Sequence, residues 1–164
     1  MERPLQGEAA FLAALPVATI QGFNPWAIYT VGHHETGGFP LSNPLVKANN
    51  FAGVKAWDSW QGPRVKKYTD EHLADRPGYG YEAEFCGWPN AQEFMAYYCG
   101  LIKRKYPTSY AQRGTIVNFF YGLMEGPNLY NGDGYSQRLE AAYRTLSAKP
   151  EVAMKLKPYQ KEDV

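Results

Sequence analysis

Residues 26–38 read WAIYTVGHHETGG, and this stretch decides the fold that we predict. The preceding pair Asn24-Pro25 predicts a helix start, with Asn as the N-cap and Pro at the first helical position. The pair Gly37-Gly38 predicts the end of the helix, because glycine readily adopts the left-handed conformation that ends many helices. Glu35 is therefore expected in the last turn of a helix.

Apolar residues recur at helical spacing in other parts of the chain as well. The stretches that we predict as helices are residues 8–21, 90–105, 109–124 and 135–146. Pro16 is expected to end or kink the first of them, because proline lacks the backbone N–H that a helix interior needs.

Residues 57–85 change in character, since aromatic residues alternate around a turn at Pro77-Gly78. This pattern is typical of a small β-hairpin or meander. We therefore predict a mainly helical α+β protein, with a single domain over residues 1–146 and a β lobe at about 57–85. The Lys-, Glu- and Pro-rich residues 147–164 are predicted to be a polar tail that is mobile or loosely packed.

Charge and composition exclude several classes of protein. Seventeen Lys and Arg balance sixteen Asp and Glu, which argues against a nucleic-acid partner. The apolar stretch 9–20 is too short to cross a bilayer, so no membrane insertion is expected. The start of the chain lacks the pattern of a signal peptide, and we expect synthesis in the cytoplasm. Cys86 and Cys99 are predicted to be free, partly buried thiols, with a single disulfide left open.

The position of Glu35 suits a proton donor. A carboxyl group at a helix end beside small residues can line a cleft with partly apolar surroundings, and such burial raises its pKa. A protonated carboxyl is what the oxygen of a breaking glycosidic bond requires. The alternative is a solvated glutamate at a helix end, although the helix dipole disfavours a carboxylate there.

A metal site is not expected. His33 and His34 are adjacent and point in different directions on a helix, and His72 lies far along the chain. Residues 129–140 resemble a calcium loop, but Leu129 stands at the first ligand position. We predict neither a metal nor a cofactor.

Four blocks of sequence together resemble a known family of enzymes. They are WAIYTVGHHETGG at 26–38, ANNFAGVKA at 48–56 with WQGP at 60–63, TDEH at 69–72 with Phe85 and Trp88 beyond, and YNGDGYSQRL at 130–139. In order and spacing, over about residues 8–146, they resemble the family 73 glycoside hydrolases, the N-acetylglucosaminidases of the flagellar muramidase and autolysin type. The chain departs from that pattern in carrying His33-His34 before the glutamate and in lacking a proline in the fourth block.

The resemblance implies a lysozyme-like fold, in which a cleft separates a helical lobe from a small β-hairpin lobe. It implies that Glu35 is the general acid and that Glu71, with Asp70 as its neighbour, is the carboxylate of the β lobe. It implies that Tyr130 is the catalytic aromatic residue, with Tyr121 as the second choice. The predicted substrate-binding residues are Asn50, Phe51, Trp57, Trp60, Trp88 and Tyr135; each Trp suits a core equally well.

The function that the resemblance implies is cleavage of peptidoglycan glycan strands after N-acetylglucosamine, by a monomer acting on the cell wall. We expect a phage endolysin or virion-associated lysin, or a bacterial enzyme exported by other means. Two alternatives stay open. One is a lysozyme or lytic transglycosylase that cuts the muramic-acid bond, and the other is a non-catalytic peptidoglycan-binding or virion structural protein.

Overall fold

The computed structural model describes residues 3–69, 80–125 and 133–159. In these ranges the chain forms helices and one pair of strands, which confirms the predicted α+β, mainly helical class. The helices are α1 (Gly7–Ile20), α2 (Pro25–Thr36), α3 (Pro44–Lys47), α4 (Ala91–Lys105), α5 (Pro107–Ala111), α6 (Val117–Gly122), α7 (Tyr135–Ser147) and α8 (Pro150–Lys155). The strands are β1 (Arg64–Thr69) and β2 (Tyr81–Cys86).

Helix α2 begins and ends where the sequence predicts. The Asn24 side chain accepts a hydrogen bond of 2.9 Å from the Trp26 N–H, and Gly37 ends the helix in the left-handed conformation with φ 72°. The helix packs closely on α1 at Gly32, where an added Cβ would lie 2.7 Å from the Phe11 ring. The absence of a side chain at Gly32 therefore sets the distance between the two helices.

The β lobe is an antiparallel hairpin, as predicted, with strands shorter than the predicted range. Arg64 pairs with Cys86 and Thr69 pairs with Tyr81, so the two strands are in register over their whole length. The residues from 57 to 63 form a turn instead of a strand. The Arg64 guanidinium holds this turn by donating to the Trp57 carbonyl at 2.8 Å.

Two helices differ from the prediction. Helix α1 continues through Pro16 to Ile20, so proline does not end it. Ala14 and Ala18, on either side of Pro16, are fully buried, and this packing outweighs the one hydrogen bond that proline cannot make.

The predicted helix over residues 109–124 is divided into α5 and α6. The turn between them docks on the end of α1, because the Asn24 N–H donates to the Arg113 carbonyl at 2.7 Å. The Arg113 side chain in turn donates to the Gln21 carbonyl at 2.8 Å. These long-range hydrogen bonds stabilise the turn, so the residues do not form the continuous helix that their apolar spacing predicts.

The chain after Ser147 is not loosely packed as far as the structure describes it. Helix α8 forms there, and Val152 and Leu156 are buried in the main core. Lys155 also forms an ion pair of 2.7 Å with Glu8 of α1. The expectation of a mobile tail is wrong for this helix, because its few apolar residues are spaced to face the core.

Both cysteines are buried free thiols, as predicted. Burial raises the pKa of Cys86 to about 11 and that of Cys99 to about 12, which makes both thiols poor nucleophiles. Within the described ranges, no helix combines the length and apolar character that crossing a membrane would need.

Candidate active site

Glu35 lies half-buried in the last turn of α2. The backbone after it is fixed by Thr36, whose hydroxyl donates to the Gly32 carbonyl at 2.8 Å. The same hydroxyl oxygen accepts from the Phe39 N–H at 2.9 Å, so the chain turns sharply away from the helix. The carboxyl group is therefore presented from a rigid helix end instead of a flexible loop.

Tyr135 is the direct partner of Glu35. It is the first residue of α7, it is fully buried, and its hydroxyl donates a short hydrogen bond to Oε1 of Glu35. Arg138 lies one turn further along α7, with its guanidinium carbon 5.8 Å from the centre of the Tyr135 ring. The first turn of α7 thus supplies both a hydrogen bond and a positive charge to the carboxyl group.

Burial dominates the electrostatics of Glu35 and raises its pKa above the ordinary value. The hydrogen bond from Tyr135 and the charge of Arg138 favour the carboxylate and lower the pKa, but they do not offset the loss of water. Burial next to the carboxyl group also raises the pKa of Tyr135 far above its usual range, so the phenol stays a hydrogen-bond donor. The site therefore holds a carboxyl group that keeps its proton to higher pH than a solvated glutamate.

Glu35 faces a cleft of about 880 Å³ between the helical lobe and the β lobe. The helical wall is formed by residues of α2 and α4 and the residue after α4, and the other wall by the loop 52–57 and the two strands. The helical wall comprises Glu35, Tyr97, Leu101, Lys105 and Tyr106; the opposite wall includes Lys55, Trp57, Lys67, Tyr68, Thr69 and Phe85.

Among the predicted aromatic residues, Trp57 lines the cleft. Its side chain is 41% exposed and stacks on Tyr97, with ring centres 5.9 Å apart and planes at 22°. Trp60 packs edge-on against Trp57, and Trp88 lies beneath, 5.3 Å from the Tyr97 ring and only 8% exposed. Trp60, Trp88 and the half-buried Tyr97 thus support an aromatic surface whose exposed member is Trp57.

Asn50 and Phe51 are placed in the interior. The Asn50 amide donates to the carbonyls of Val54 and Cys86, each at 2.9 Å, and its oxygen accepts from the N–H groups of Ala52 and Val54. Phe51 is 1% exposed and lies among core aromatic rings. Both residues are placed to shape the loop that forms one wall of the cleft, and neither presents a surface to a ligand.

The remaining predicted catalytic residues lie outside the described residues. These are Glu71, its neighbour Asp70, and Tyr130, and their roles stay predictions. The second choice for the aromatic residue, Tyr121, donates a hydrogen bond of 2.7 Å to Glu140 of α7 and does not line the cleft.

The structure shows the surroundings of His33 and His34. Burial lowers the pKa of His33 and of His34, so both favour the neutral form near neutral pH. His34 lies against the Tyr135 ring, with ring centres 5.7 Å apart, whereas His72 lies outside the described residues. Across the part of the chain that the structure describes, no three His, Cys, Asp or Glu side chains come together as metal ligands would.

The sequence analysis did not identify Tyr97 or the three cleft lysines, Lys55, Lys67 and Lys105. Lys67 lies on the half-buried face of β1 together with Thr69, because half-buried and exposed residues alternate along that strand. This alternation is seen in the folded chain and was not a signal in the sequence. Tyr97 and Lys105 lie on α4, far in sequence from every block, and only the packing of that helix brings them to the cleft.

No protein-family model matches the chain, and a comparison with curated proteins found no match. Solved structures do match over nearly the whole chain. The peptidoglycan hydrolase from Sphingomonas sp. A1 is 17% identical, with a TM-score of 0.66 over 95% of this chain and 97% of that one. The glycoside hydrolase domain of Salmonella typhimurium FlgJ is 23% identical, with a TM-score of 0.60 over 90% and 93%. The catalytic domain of the autolysin Auto from Listeria monocytogenes is 15% identical, with a TM-score of 0.66 over 94% and 90%.

These similarities show that the chain has the fold of those hydrolase domains. The predicted lysozyme-like arrangement, a helical lobe and a β-hairpin lobe with a cleft between them, is confirmed.

Proposed function

We propose that this protein is a glycoside hydrolase that cleaves the glycan strands of peptidoglycan, with Glu35 as the general acid. The observation that carries the proposal is a carboxyl group with a raised pKa, held by Tyr135 on the wall of the cleft between the two lobes. The fold supports it as well, because the similar structures include proteins named peptidoglycan hydrolase and autolysin.

The chemical step begins with the proton of Glu35. Because Tyr135 donates to Oε1, we assign the acidic proton to Oε2, which would meet the glycosidic oxygen. As the bond between the anomeric carbon and that oxygen breaks, the proton passes to the oxygen and the leaving sugar departs as a neutral alcohol. Glu35 is then a carboxylate, which the Tyr135 hydroxyl and the Arg138 charge stabilise.

The sugar that remains carries developing positive charge, and a second group must meet it. The predicted candidates are the carboxylate of Glu71, a water molecule, and the N-acetyl group of the substrate itself. Tyr130 is the residue proposed to steady this charge. Substitution of Glu71 by Gln tests whether this carboxylate meets the positive charge. A loss of activity comparable to that of Glu35→Gln would support a direct role.

Trp57 is the residue that we propose as a sugar platform. Its exposed ring, backed by Tyr97, offers a flat apolar face to the apolar face of a pyranose ring. We expect Trp57→Ala to raise KM for the glycan strand about tenfold while leaving kcat within a factor of a few.

The test of the acid is the clearing of purified cell walls, followed as loss of turbidity. Glu35→Gln should abolish clearing, because the amide keeps the shape and the hydrogen bond from Tyr135 but has no proton to donate. Glu82→Gln, an exposed change on β2, is the matched control and should clear like the unchanged protein. Equal clearing by the Glu35 and Glu82 variants would reject Glu35 as the acid.

The bond that is cut is proposed to follow N-acetylglucosamine. Mass spectrometry of borohydride-reduced products tests this directly, since each class of enzyme leaves a different end. Reduced N-acetylglucosamine ends are expected. Reduced muramic ends or anhydro sugars would instead identify a lysozyme or a lytic transglycosylase, and binding without new ends would identify a non-catalytic protein.

A further inference from the structure

His34 directly precedes Glu35 on α2, but the two side chains line different spaces. Glu35 lines the cleft, whereas His34 lines a separate groove of about 460 Å³ between α2 and α7. The His34 side chain is half-buried, so water in this groove can reach its ring and exchange protons with it.

The ring of His34 also contacts the residue that holds the acid. Its centre lies 5.7 Å from the centre of the Tyr135 ring, and the two planes are inclined at 57°. Tyr135 is fully buried, and its hydroxyl donates to Oε1 of Glu35. His34 therefore packs against the partner of the acid from the groove and not from the cleft.

The groups around His34 are neutral or positively charged. The Arg138 guanidinium lies over the same Tyr135 ring, with its central carbon 5.8 Å from the ring centre. Lys149 and His33 line the groove beside His34. Burial and the charge of Arg138 lower the pKa of His34 below its ordinary value of 6.5. The neutral imidazole is therefore the form that suits this position.

The lowered pKa has a conformational consequence. A position that disfavours the protonated form of a base is a position that the protonated base tends to leave, because the two equilibria are linked. Glu35 does not offset the charge, since burial keeps this neighbouring carboxyl group protonated in acid. A protonated His34 would therefore turn away from Arg138 into the groove and lose its contact with Tyr135.

Resting on the proposed function, we propose that His34 is a positioning residue for Glu35. Its neutral ring holds the Tyr135 phenol in place against the acid, and protonation of the ring releases that hold and slows hydrolysis. The rate should then fall on both sides of an optimum, in base as Glu35 loses its proton and in acid as His34 gains one.

The first test is the dependence of kcat/KM on pH between about pH 4 and 8, measured as new reducing ends on soluble glycan strands. Phenylalanine keeps an aromatic ring but cannot take up a proton, so the acid limb of the profile should disappear or move to lower pH in His34→Phe. Circular dichroism checks the fold, and His34→Gln, which cannot titrate either, replaces this variant if it does not fold.

His33→Phe is the matched control for this change. The His33 ring faces Tyr29 and Phe39, with ring centres 6.0 and 5.9 Å apart, and it is half-buried like that of His34. Its variant should keep the acid limb of the unchanged protein. Equal acid limbs in the unchanged protein and in both variants would overturn the proposal.

His34→Ala separates the packing of the ring from its charge. At neutral pH we expect kcat to fall about tenfold in this variant, because the acid loses its fixed orientation. KM should stay close to that of the unchanged protein, since His34 lines the groove and not the cleft. His34→Phe should keep most of kcat. An unchanged kcat in His34→Ala, or an equal loss in both variants, would also contradict the proposal.

NMR spectroscopy measures the contact without reference to activity. In protein labelled at tyrosine Cζ, the Tyr135 signal is assigned by its loss in Tyr135→Phe, and the ring signal of His34 by its loss in His34→Phe. One step of the Tyr135 signal should share the midpoint of the His34 titration, below 6.5, and that step should be absent in His34→Phe. A Tyr135 signal that lacks this step in the unchanged protein would overturn the proposal.

The two measurements distinguish this proposal from the proposed function. If the unchanged protein released no sugar ends, the hydrolase assignment would fail. The shared midpoint would then still support the coupling of His34 to Tyr135, and its absence would still refute that coupling.

Discussion

Glu35 occupies a position that disfavours its own charge. It lies at the C-terminal end of a helix, where the dipole opposes an anion, and burial removes the water that would solvate it. Both effects favour the protonated acid, which is the form that a proton donor needs. The ionised form of Glu35 therefore destabilises the folded protein, and the carboxyl group keeps a proton that it can donate.

The raised pKa of Glu35 predicts how Glu35→Gln changes the stability of the protein. Folding raises the pKa of Glu35, so its contribution to stability is fully present below the ordinary value of 4.5 and is lost as pH rises through the folded pKa. The inactive Gln variant should therefore gain in Tm relative to the unchanged protein as pH rises from 4 to 8. Each unit of raised pKa corresponds to about 1.4 kcal/mol, or about 3–6 °C in Tm for a protein of this size. A gap in Tm that stayed constant with pH would contradict the assigned burial.

The hydrogen bond from Tyr135 to Glu35 predicts how the activity depends on pH. Its hydrogen bond lowers the pKa of Glu35, so Tyr135→Phe should raise that pKa and move the alkaline limb of the kcat/KM profile to higher pH. We expect kcat to fall about tenfold at the same time, because the carboxyl group loses its fixed orientation. Tyr121→Phe removes a hydroxyl that bonds Glu140 instead, and its profile should keep the original limb. Coincident profiles for the two variants would exclude this role for Tyr135.

At the scale of residues, local patterns predicted the location of Glu35 but not its partner. Asn24-Pro25 and Gly37-Gly38 bound a single helix, and nothing outside that helix was needed to place the carboxyl group. The contact with Tyr135 joins residues 100 positions apart, and no periodicity encodes it. Asn50 shows the reverse case, since its motif was interpreted as a ligand contact and its side chain instead forms hydrogen bonds with the loop and with Cys86 of β2.

At the scale of elements, the wall of the cleft depends on one buried amide. Asn50 connects the loop after α3 to β2 through its bonds to Val54 and Cys86. The loop then continues directly into the residues that face Glu35 across the cleft. Backbone hydrogen bonds from Cys86 to Val54 and from Ala56 to Glu84 join the same loop and strand.

Asn50→Ala should therefore destabilise the protein by about 2–4 kcal/mol, because it leaves buried backbone groups without partners. Urea unfolding followed by far-UV circular dichroism measures the loss. Asn90→Ala removes the N-cap of α4 and should cost only about 1 kcal/mol, which provides a comparison for the same chemical change. Equal losses would show that the buried amide holds the loop no more strongly than an exposed helix cap.

Helices and strands were predictable where the local sequence alone decides their ends. Helix α4 has an Asn cap, one apolar face and basic residues in its last turn, and its bounds agree with the prediction within a residue. The division of 109–124 was not predictable in this way. Gly122 packs so closely on α5 that an added Cβ would lie 2.6 Å from the Cα of Ser109, and such a contact is visible only in the folded chain.

At the scale of the whole molecule, the end of the chain is joined to its beginning. Glu8 of α1 accepts from Lys155 of α8 and from the Tyr29 hydroxyl of α2, each at 2.7 Å. The ion pair and this hydrogen bond lower the pKa of Glu8 against the effect of burial. Three helices, two near the start of the sequence and one near its end, thus meet at one carboxylate.

Leu156→Ala should destabilise the protein by about 2–4 kcal/mol, since the side chain is fully buried at the junction of α8 with the core. Met154→Ala changes a residue of α8 that is 68% exposed, and its free energy of unfolding should stay within about 0.5 kcal/mol of the original. Equal effects of the two substitutions would mean that α8 contributes little to the core.

The four blocks led to the predicted lobes and cleft through their resemblance to the family 73 glycoside hydrolases, and not through local patterns of the sequence. The docking of α8 was missed because polar composition outweighed two apolar residues in the sequence analysis. Burial depends on which residues face the core and not on the average character of a segment.

The bond between Tyr135 and Glu35 also has a consequence for synthesis. The acid is made early and its partner late, so a nascent chain that has not reached α7 leaves the carboxyl group in water. Solvation returns its pKa toward the ordinary value, and the group is then ionised at neutral pH with no proton to give. Under the proposed function, an unfinished copy of this protein therefore has no proton to donate until α7 has folded.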